Sequence, residues 1–452
     1  MTTRTQASNP AEMHPLDLSA RLIDSGVADT PPNRVTHQLS ELNDSIAMIE
    51  SFSHVVLVHT DDGLVAFDSS GALSGEAVVA ALRAWSDDPV HTLVYTHGHL
   101  DHVGGSRVFA ADADERGRPR PRVVGHEAVA TRFARYEYTS GYNQVINQRQ
   151  FGGAAGSAAA ERATRPFIPA GTLSPDTVYA DQLSENIGGI DFEYNHCLGE
   201  TDDHTWTWIP SQKAICAGDQ FIWNFPNCGN PQKVQRYPLE WAQSLRDMAA
   251  REAELFLPAH GLPIAGPERI ANCLDTVATT LEVLVAQVVE AMNTGAGLDE
   301  IVHSVSVPDE TLSIPYLRPM YDEPEFVIRN IWRLYGGWWD GNPARLKPPS
   351  DSAIGAEIAS LVGGIEALVA RAVEVSGGGD HRVACQLIEY AVAAEPEAGL
   401  VHEARATIYQ ARRKAETSLM AKGIFGSAVA DSTEALTGET PETKMIVNLG
   451  EE

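Results

Sequence analysis

The stretch Thr96-His97-Gly98-His99-Leu100-Asp101-His102 decides how this chain is read. It places three imidazoles and a carboxylate within six residues, in the order His-x-His-x-Asp-His. When such a run forms a tight loop, alternate residues point to one centre and the adjacent Asp-His pair to another, so the four donors can serve two metal ions. The run follows Leu93-Val94-Tyr95, which reads as an apolar strand. The donors therefore stand on a loop at a strand's C-terminal end.

A dinuclear site needs further ligands from distant strand ends. Asp219 follows the apolar run Ala214-Ile215-Cys216-Ala217, and a carboxylate there can bridge two ions. His260 follows Leu255-Phe256-Leu257 in the same way. Between the two regions lies Leu198-Gly199-Glu200-Thr201-Asp202-Asp203-His204, with His196 just before it.

Farther out, β-branched runs at 55–58 and 64–67 flank the turn Asp61-Asp62-Gly63 and predict a hairpin. Residues 75–85 have helical spacing, and a strand at 123–124 precedes a helix starting near 127. The Gly- and Ala-rich stretch near 140–170 is expected to form a long loop over the site. Strands are expected at 189–196, 204–209, 213–217 and 255–257, with a helix at 238–252. Two sets of strands and helices in this order predict a four-layer αββα sandwich of the α/β class.

Beyond Pro267 the pattern turns helical, with an amphipathic run over 268–292 and a helical block over 297–425 broken by the linker 341–350. Segments 352–375 and 381–421 read as antiparallel helices of the kind that stack in repeats. The expected organisation is an extended arm over 1–35, a catalytic domain over 36–295, an all-helical domain over 296–430 and an acidic tail over 431–452. A chain of 452 residues exceeds one typical core, in keeping with two packed domains.

The formal charge of -28 argues against nucleic acid, because 61 acidic side chains against 33 Lys and Arg repel polyphosphate. The five cysteines form no CxxC pair and are read as free thiols. Residues 1–30 show no secretory h-region, and no later run has the roughly 18 uninterrupted apolar residues of a membrane span. A cytoplasmic protein without a membrane span is expected.

The THGHLDH run, the later Gly218-Asp219 and His260-Gly261 pairs, and their order together resemble the metallo-β-lactamase superfamily over residues 50–265. Glu200 occupies the place of a histidine usual in that superfamily, and this substitution resembles its alkyl sulfatase branch. Asp322-Glu323-Pro324 and the run from Arg329 to Pro343 resemble the dimerisation domain of the same branch. The resemblance implies His97, His99 and Glu200 for one ion, Asp101, His102 and His260 for the other, and Asp219 shared. His204 and His196 compete for the Glu200 role, with a supporting position beside the ligands as their expected place.

Two divalent ions, expected to be Zn2+, imply a hydrolase that cleaves an alkyl sulfate or related sulfate ester with a metal-bound hydroxide, with Asp101 and Asp219 as catalytic carboxylates. Holding a sulfate calls for cations. Lys233, Arg236 and Arg149 are the candidates, with Asn147 and Asn230 as polar neighbours. Larger alkyl sulfatases carry Arg where Asn230 stands and Glu where Asp219 stands, and they continue into a lipid-binding-like domain with no counterpart after residue 425. A carboxylic ester, lactone or phosphoester is therefore the alternative substrate. A non-catalytic metal-stabilised dimer and a diiron electron-transfer protein are disfavoured, the first by the full ligand set and the second by His99. The aromatic run Trp332, Tyr335, Trp338 and Trp339 is read as packing at a homodimer interface.

Overall fold

The structure is a computed structural model that describes residues 12–155 and 166–441. Residues 1–11 of the arm, 156–165 of the expected loop and the tail beyond 441 lie outside the described residues. The described chain divides into two compact units, one of residues 12–138 and 168–337, the other of 139–155, 166–167 and 338–441.

The first unit begins with a helix where the sequence predicts an extended arm. Residues Pro15–Ser25 form this helix, α1. His14 Nδ1 caps its start, Pro15 takes the first turn and Gly26 closes it at φ 68°. Leu18 and Leu22, four residues apart, are buried in the core. Leu16, Leu18, Leu22 and Ile23 are interspersed with Asp17, Ser19, Arg21 and Asp24 in a segment of only 11 residues, too short to hold a helix by itself, and the tertiary core supplies the missing stabilisation.

Seven strands then form one sheet in chain order: β1 (Leu39–Glu41), β2 (Ile46–Ile49), β3 (Val55–Thr60), β4 (Gly63–Phe67), β5 (Val90–Val94), β6 (Arg122–His126) and β7 (Thr177–Tyr179). The first four pair antiparallel, and β4 to β7 pair parallel. A second sheet has six strands: β8 (Gln182–Ile187), β9 (Ile190–Cys197), β10 (His204–Ile209), β11 (Ala214–Gly218), β12 (Leu255–Pro258) and β13 (Ile264–Ala265).

The strands' period of two sorts their side chains between layers. In the β3–β4 hairpin, Val56, Val58, Val65 and Phe67 face the second sheet and meet Phe192, Tyr194, Ile209 and Leu257. Val55, Leu57, Leu64 and Ala66 face the opposite way, onto α2 (Gly75–Trp85) and its neighbours α4 (Ser106–Glu115) and α5 (Ala128–Tyr138). A single turn, α3 (Leu100–Val103), joins β5 to this helical layer.

The second unit takes α6 (Ser140–Gln150), a helix where the sequence predicts a loop. Its buried positions Asn143, Ile146 and Gln150 do follow helical spacing. Two of the three are polar, so a hydrophobic pattern does not reveal them. Back in the first unit, α7 (Pro238–Ala249) and α8 (Pro267–Asn293) cover the second sheet's outer face through Trp241, Leu245, Leu274, Leu281 and Val288. The four layers α/β/β/α are complete.

By length and composition α8 is apolar enough to cross a membrane. Its apolar side is instead used by the core, which it joins together with Ile331. Short helices α9 (Leu298–Ser304) and α10 (Asp309–Leu312) lead to α11 (Pro324–Gly336). The second unit continues with α12 (Asp351–Val362), α13 (Ile365–Gly377), α14 (His381–Ala394), α15 (Gly399–Ala415) and α16 (Leu419–Thr437). These form a helical core around Leu368, Ala372, Ile388, Ala391, Val401 and Ile408.

Candidate metal centre

The loop after β5 carries His97 and His99, and α3 carries Asp101 and His102. Glu200 comes from the turn between β9 and β10, Asp219 from the end of β11 and His260 from the turn after β12. The C-terminal ends of both sheets thus deliver their side chains to one place.

Two donor groups result among the described residues. His97, His99, Glu200 and Asp219 offer ligand atoms within 4.8 Å of one another, and so do Asp101, His102 and His260. Glu200 Oε2 lies 3.7 Å from both His97 Nε2 and His99 Nδ1. Asp101 Oδ2 lies 3.5 Å from His102 Nε2 and 3.3 Å from His260 Nε2. Asp219 reaches both groups, with Oδ2 3.9 Å from His97 Nε2 and 3.4 Å from His102 Nε2, and Oδ1 3.6 Å from His260 Nε2.

These residues fit metal ions on two grounds. His102 Nε2, Glu200 Oε2 and Asp219 Oδ1 are buried and have no hydrogen-bond partner, a costly state that coordination would relieve. In addition, His97 Nε2 and His99 Nδ1 face each other at 2.8 Å, so two imidazole nitrogens converge on the point that Glu200 Oε2 approaches. Three carboxylates among four histidines are a donor set for divalent cations.

The electrostatics follow from burial and crowding. Burial pushes Glu200 up to about 8, against the opposing pull of the Arg236 guanidinium and with a further push from Asp219. Burial would also raise Asp101, but His102 and His260 hold it well below the usual carboxylate range. Burial and the neighbouring imidazoles hold His97 well below its ordinary value, so it presents a neutral donor.

Several supporting residues carry no motif in the sequence. Asp68 accepts from His102 Nδ1 at 2.7 Å and from Thr96 N and Oγ1 at 2.8 Å each, fixing the tautomer that leaves His102 Nε2 for a ligand role. It stands just after β4, so the same strand-end reasoning that found Asp219 points to it. Asp203 accepts from Gly98 N at 3.0 Å and from Arg132 Nε at 2.7 Å, which pins the loop between His97 and His99. A Cβ on Gly98 would stand 2.8 Å from Arg132 Cδ and 2.9 Å from Asp203 Oδ2, so a larger residue there would have to displace these two buried side chains.

The two competing histidines take other places. His204 Nε2 accepts from Asp219 N at 3.0 Å, and its ring stacks on His97 with centroids 5.0 Å apart. His196 stacks on His126 at 3.7 Å, and its Nδ1 lies 3.1 Å from the His204 carbonyl. Neither joins a donor group.

Of the residues expected to hold substrate, Asn230, Lys233 and Arg236 follow β11, and Asn147 and Arg149 lie on α6. Arg236 is buried and donates from Nη1 to Glu200 Oε1 at 2.7 Å, while Asn227 Nδ2 donates to the same oxygen. This guanidinium edge orients Glu200, because a buried carboxylate oxygen without a donor would be costly. Asn230 is buried in a turn, its Oδ1 accepting from Gln232 N at 3.1 Å. Lys233 is brought close to the cluster: burial lowers its ammonium to about 8, with Arg236 lowering it further and Asp101 and Glu200 raising it. Asn147 and Arg149 lie on α6, in the second unit.

Comparison with known proteins agrees with this arrangement. Residues 48–260 match the metallo-beta-lactamase superfamily and residues 297–434 the alkyl sulfatase dimerisation family. The first of these segments is a metallo-β-lactamase superfamily domain and the second an alkyl sulfatase-type dimerisation segment. It is 24% identical over 373 residues to a linear primary-alkylsulfatase of Pseudomonas sp. (strain ATCC 19151), covering 78% of this chain and 69% of the relative. An (R)-specific secondary-alkylsulfatase of Pseudomonas sp. is 25% identical over 409 residues, covering 83% and 60%. The solved sec-alkylsulfatase Pisa1 from Pseudomonas sp. superposes with a TM-score of 0.76 at 21% identity, covering 89% of this chain and 66% of that one. The chain thus spans about three fifths to seven tenths of the length of these relatives, and it stands in the superfamily's alkylsulfatase-like branch.

Proposed function

We propose that this protein is a dinuclear metal hydrolase acting on an alkyl sulfate or related sulfate ester. The observation that carries the reading is the pair of donor groups joined by Asp219, with Glu200 completing one of them. The two relatives compared above are named as alkylsulfatases, which supports the sulfate ester as substrate.

His97, His99 and Glu200 would hold one ion, Asp101, His102 and His260 the other, and Asp219 would bridge them. Bound divalent ions, zinc in this proposal, supply a water acidified to near neutral pH and positive charge beside the reacting group. The protein's own groups do the rest. Asp68 orients His102, and Asn227 with Arg236 directs Glu200 Oε2 inward. Lys233 supplies a cation at the same site to hold the anionic ester, which the net charge of -28 cannot attract from a distance. The match to a dimerisation family supports a homodimer.

A second reading rests on Asn230, a neutral residue whose carboxamide oxygen is turned to its own loop. Asn230 adds no charge to that of Lys233, and a carboxylic ester, lactone or phosphoester is the alternative. The test is a panel of alkyl sulfates, carboxylic esters, lactones and phosphoesters offered to the zinc-reconstituted protein. Release of sulfate from an alkyl chain supports the proposal. Turnover of the other esters without any sulfate release overturns it in favour of the second reading.

A further inference from the structure

The segment Ser51-Phe52-Ser53-His54, between β2 and β3, contains none of the ligands, yet it touches both histidines of the Asp101/His102/His260 group. Ser53 Oγ lies 3.1 Å from His102 Nδ1. The Phe52 ring meets the His260 ring edge to face, with centroids 5.5 Å apart. His54 is fully buried, and its Nδ1 accepts from Ser51 N at 3.1 Å. That bond places the ring proton on Nε2, which donates to the Gly261 carbonyl at 2.6 Å. The His54 backbone N–H also donates to the Ala259 carbonyl at 2.7 Å.

The turn that carries His260 is gripped from a second side. Gly261 N donates to Asn33 Oδ1 at 3.0 Å, and Asn33 belongs to the stretch just after α1. Gly261 itself has φ +91°, and a Cβ on it would stand 2.3 Å from Trp223 Cδ1, so the turn has little room to relax on its own. Both backbone groups of Gly261 are therefore bonded to side chains more than two hundred residues away in the chain.

We propose that His54 and Asn33 are positioning residues for His260, and that together with Ser53 and Phe52 they make retention of the second ion depend on the chain's N-terminal segment. The inference rests on the dinuclear reading above. It explains why the described stretch before β1 folds onto this unit: α1 buries Leu18 and Leu22 in the core, which fixes the approach of Asn33 to Gly261. Groups that orient metal ligands through one intervening bond commonly change metal affinity about 10- to 100-fold when removed.

The experiment uses the full chain, equilibrated with buffered zinc and assayed for bound metal, with cobalt substitution as a second readout. His54→Leu removes the donor to Gly261, Asn33→Ala removes the acceptor, and His54→Gln keeps a donor at similar reach. The expected result is that His54→Leu and Asn33→Ala each hold one of the two ions about 10- to 100-fold more weakly, with an altered cobalt absorption band. His54→Gln should retain most of the second equivalent. Asn33→Ala keeps the test decisive if His54→Leu fails to fold. Wild-type affinity for both ions in Asn33→Ala would overturn the proposal, as would an equal loss of both ions or a His54→Gln variant indistinguishable from His54→Leu. Nothing is read from turnover, so a protein that binds two ions but leaves sulfate esters intact would count against the proposed function and not against this inference.

Discussion

At Glu200 one carboxylate is divided between two tasks. Oε1 is held by Arg236 and Asn227, and Oε2 is left without a hydrogen-bond partner 3.7 Å from two imidazole nitrogens. Because Oε1 is already engaged, Glu200 is set up to offer a single oxygen to a metal. Glu200→Gln keeps the size but replaces the charge, and its amide would have to choose between Arg236 and the ligand role. It should lower bound metal from two equivalents towards one, measured by elemental analysis after dialysis; unchanged stoichiometry would sink the assignment.

A second residue gives a pH dependence away from the ligands. Asp322 is fully buried, accepts from Gly229 N at 2.6 Å and from Glu323 N at 2.7 Å, and is raised by burial to about 7. A carboxyl raised in the fold favours its protonated form there. Stability from this group is thus fully present below the unfolded pKa of about 4 and is lost as pH rises towards 7. Asp322→Asn cannot ionise, so the Tm of the variant minus that of the wild type should increase between pH 5 and pH 8. A difference that stays constant over this range would contradict the assignment.

At the scale of elements, the loop between β5 and α3 is built by its neighbours as much as by its own sequence. Arg132 on α5 and Asp203 before β10 form a buried ion pair, and Asp203 also bonds Gly98 N. Breaking such a pair by removing one partner typically costs roughly 3–5 kcal/mol, so neither side chain yields readily. Gly98→Ala forces a methyl against both. The expected outcome is metal affinity reduced on the order of tenfold or more, read by competition with a chromophoric chelator. Affinity equal to wild type would show that the loop can shift without cost.

Strands β3, β4, β10 and β12 were legible because alternation or short apolar runs mark them directly. The helices α1 and α6 were not. In α1 the apolar residues Leu16, Leu18, Leu22 and Ile23 sit in a segment too short to be helical by itself, and in α6 the buried face is partly polar, so neither segment advertises the surface it covers. Their stabilisation comes from contacts with other parts of the chain, which local periodicity does not record.

For the whole molecule, the charge of -28 and the helical extension both bear on assembly. In the single chain Trp338 and Leu361 are each 72% exposed, and both fall within residues 297–434 that match the dimerisation family. Covering such side chains across a two-fold axis is an ordinary use for them. Light scattering should therefore give about twice the monomer mass of 48.8 kDa at micromolar concentration. A monomer would remove the homodimer from the proposal.

What the sequence determined by itself is the candidate donor set. The spacing of His97, His99, Asp101 and His102, with Asp219 and His260 at later strand ends, follows from donor types and from strands ending where ligands are needed. The tertiary structure alone decided how those donors are aimed. Arg236, offered by sequence as a substrate cation, is drawn onto Glu200, while Asp68, His54 and Asn33 fix His102 and His260. The reason is physical: a ligand's type is written in its own side chain, but its orientation depends on which buried polar groups must find partners, and those partners come from distant parts of the chain.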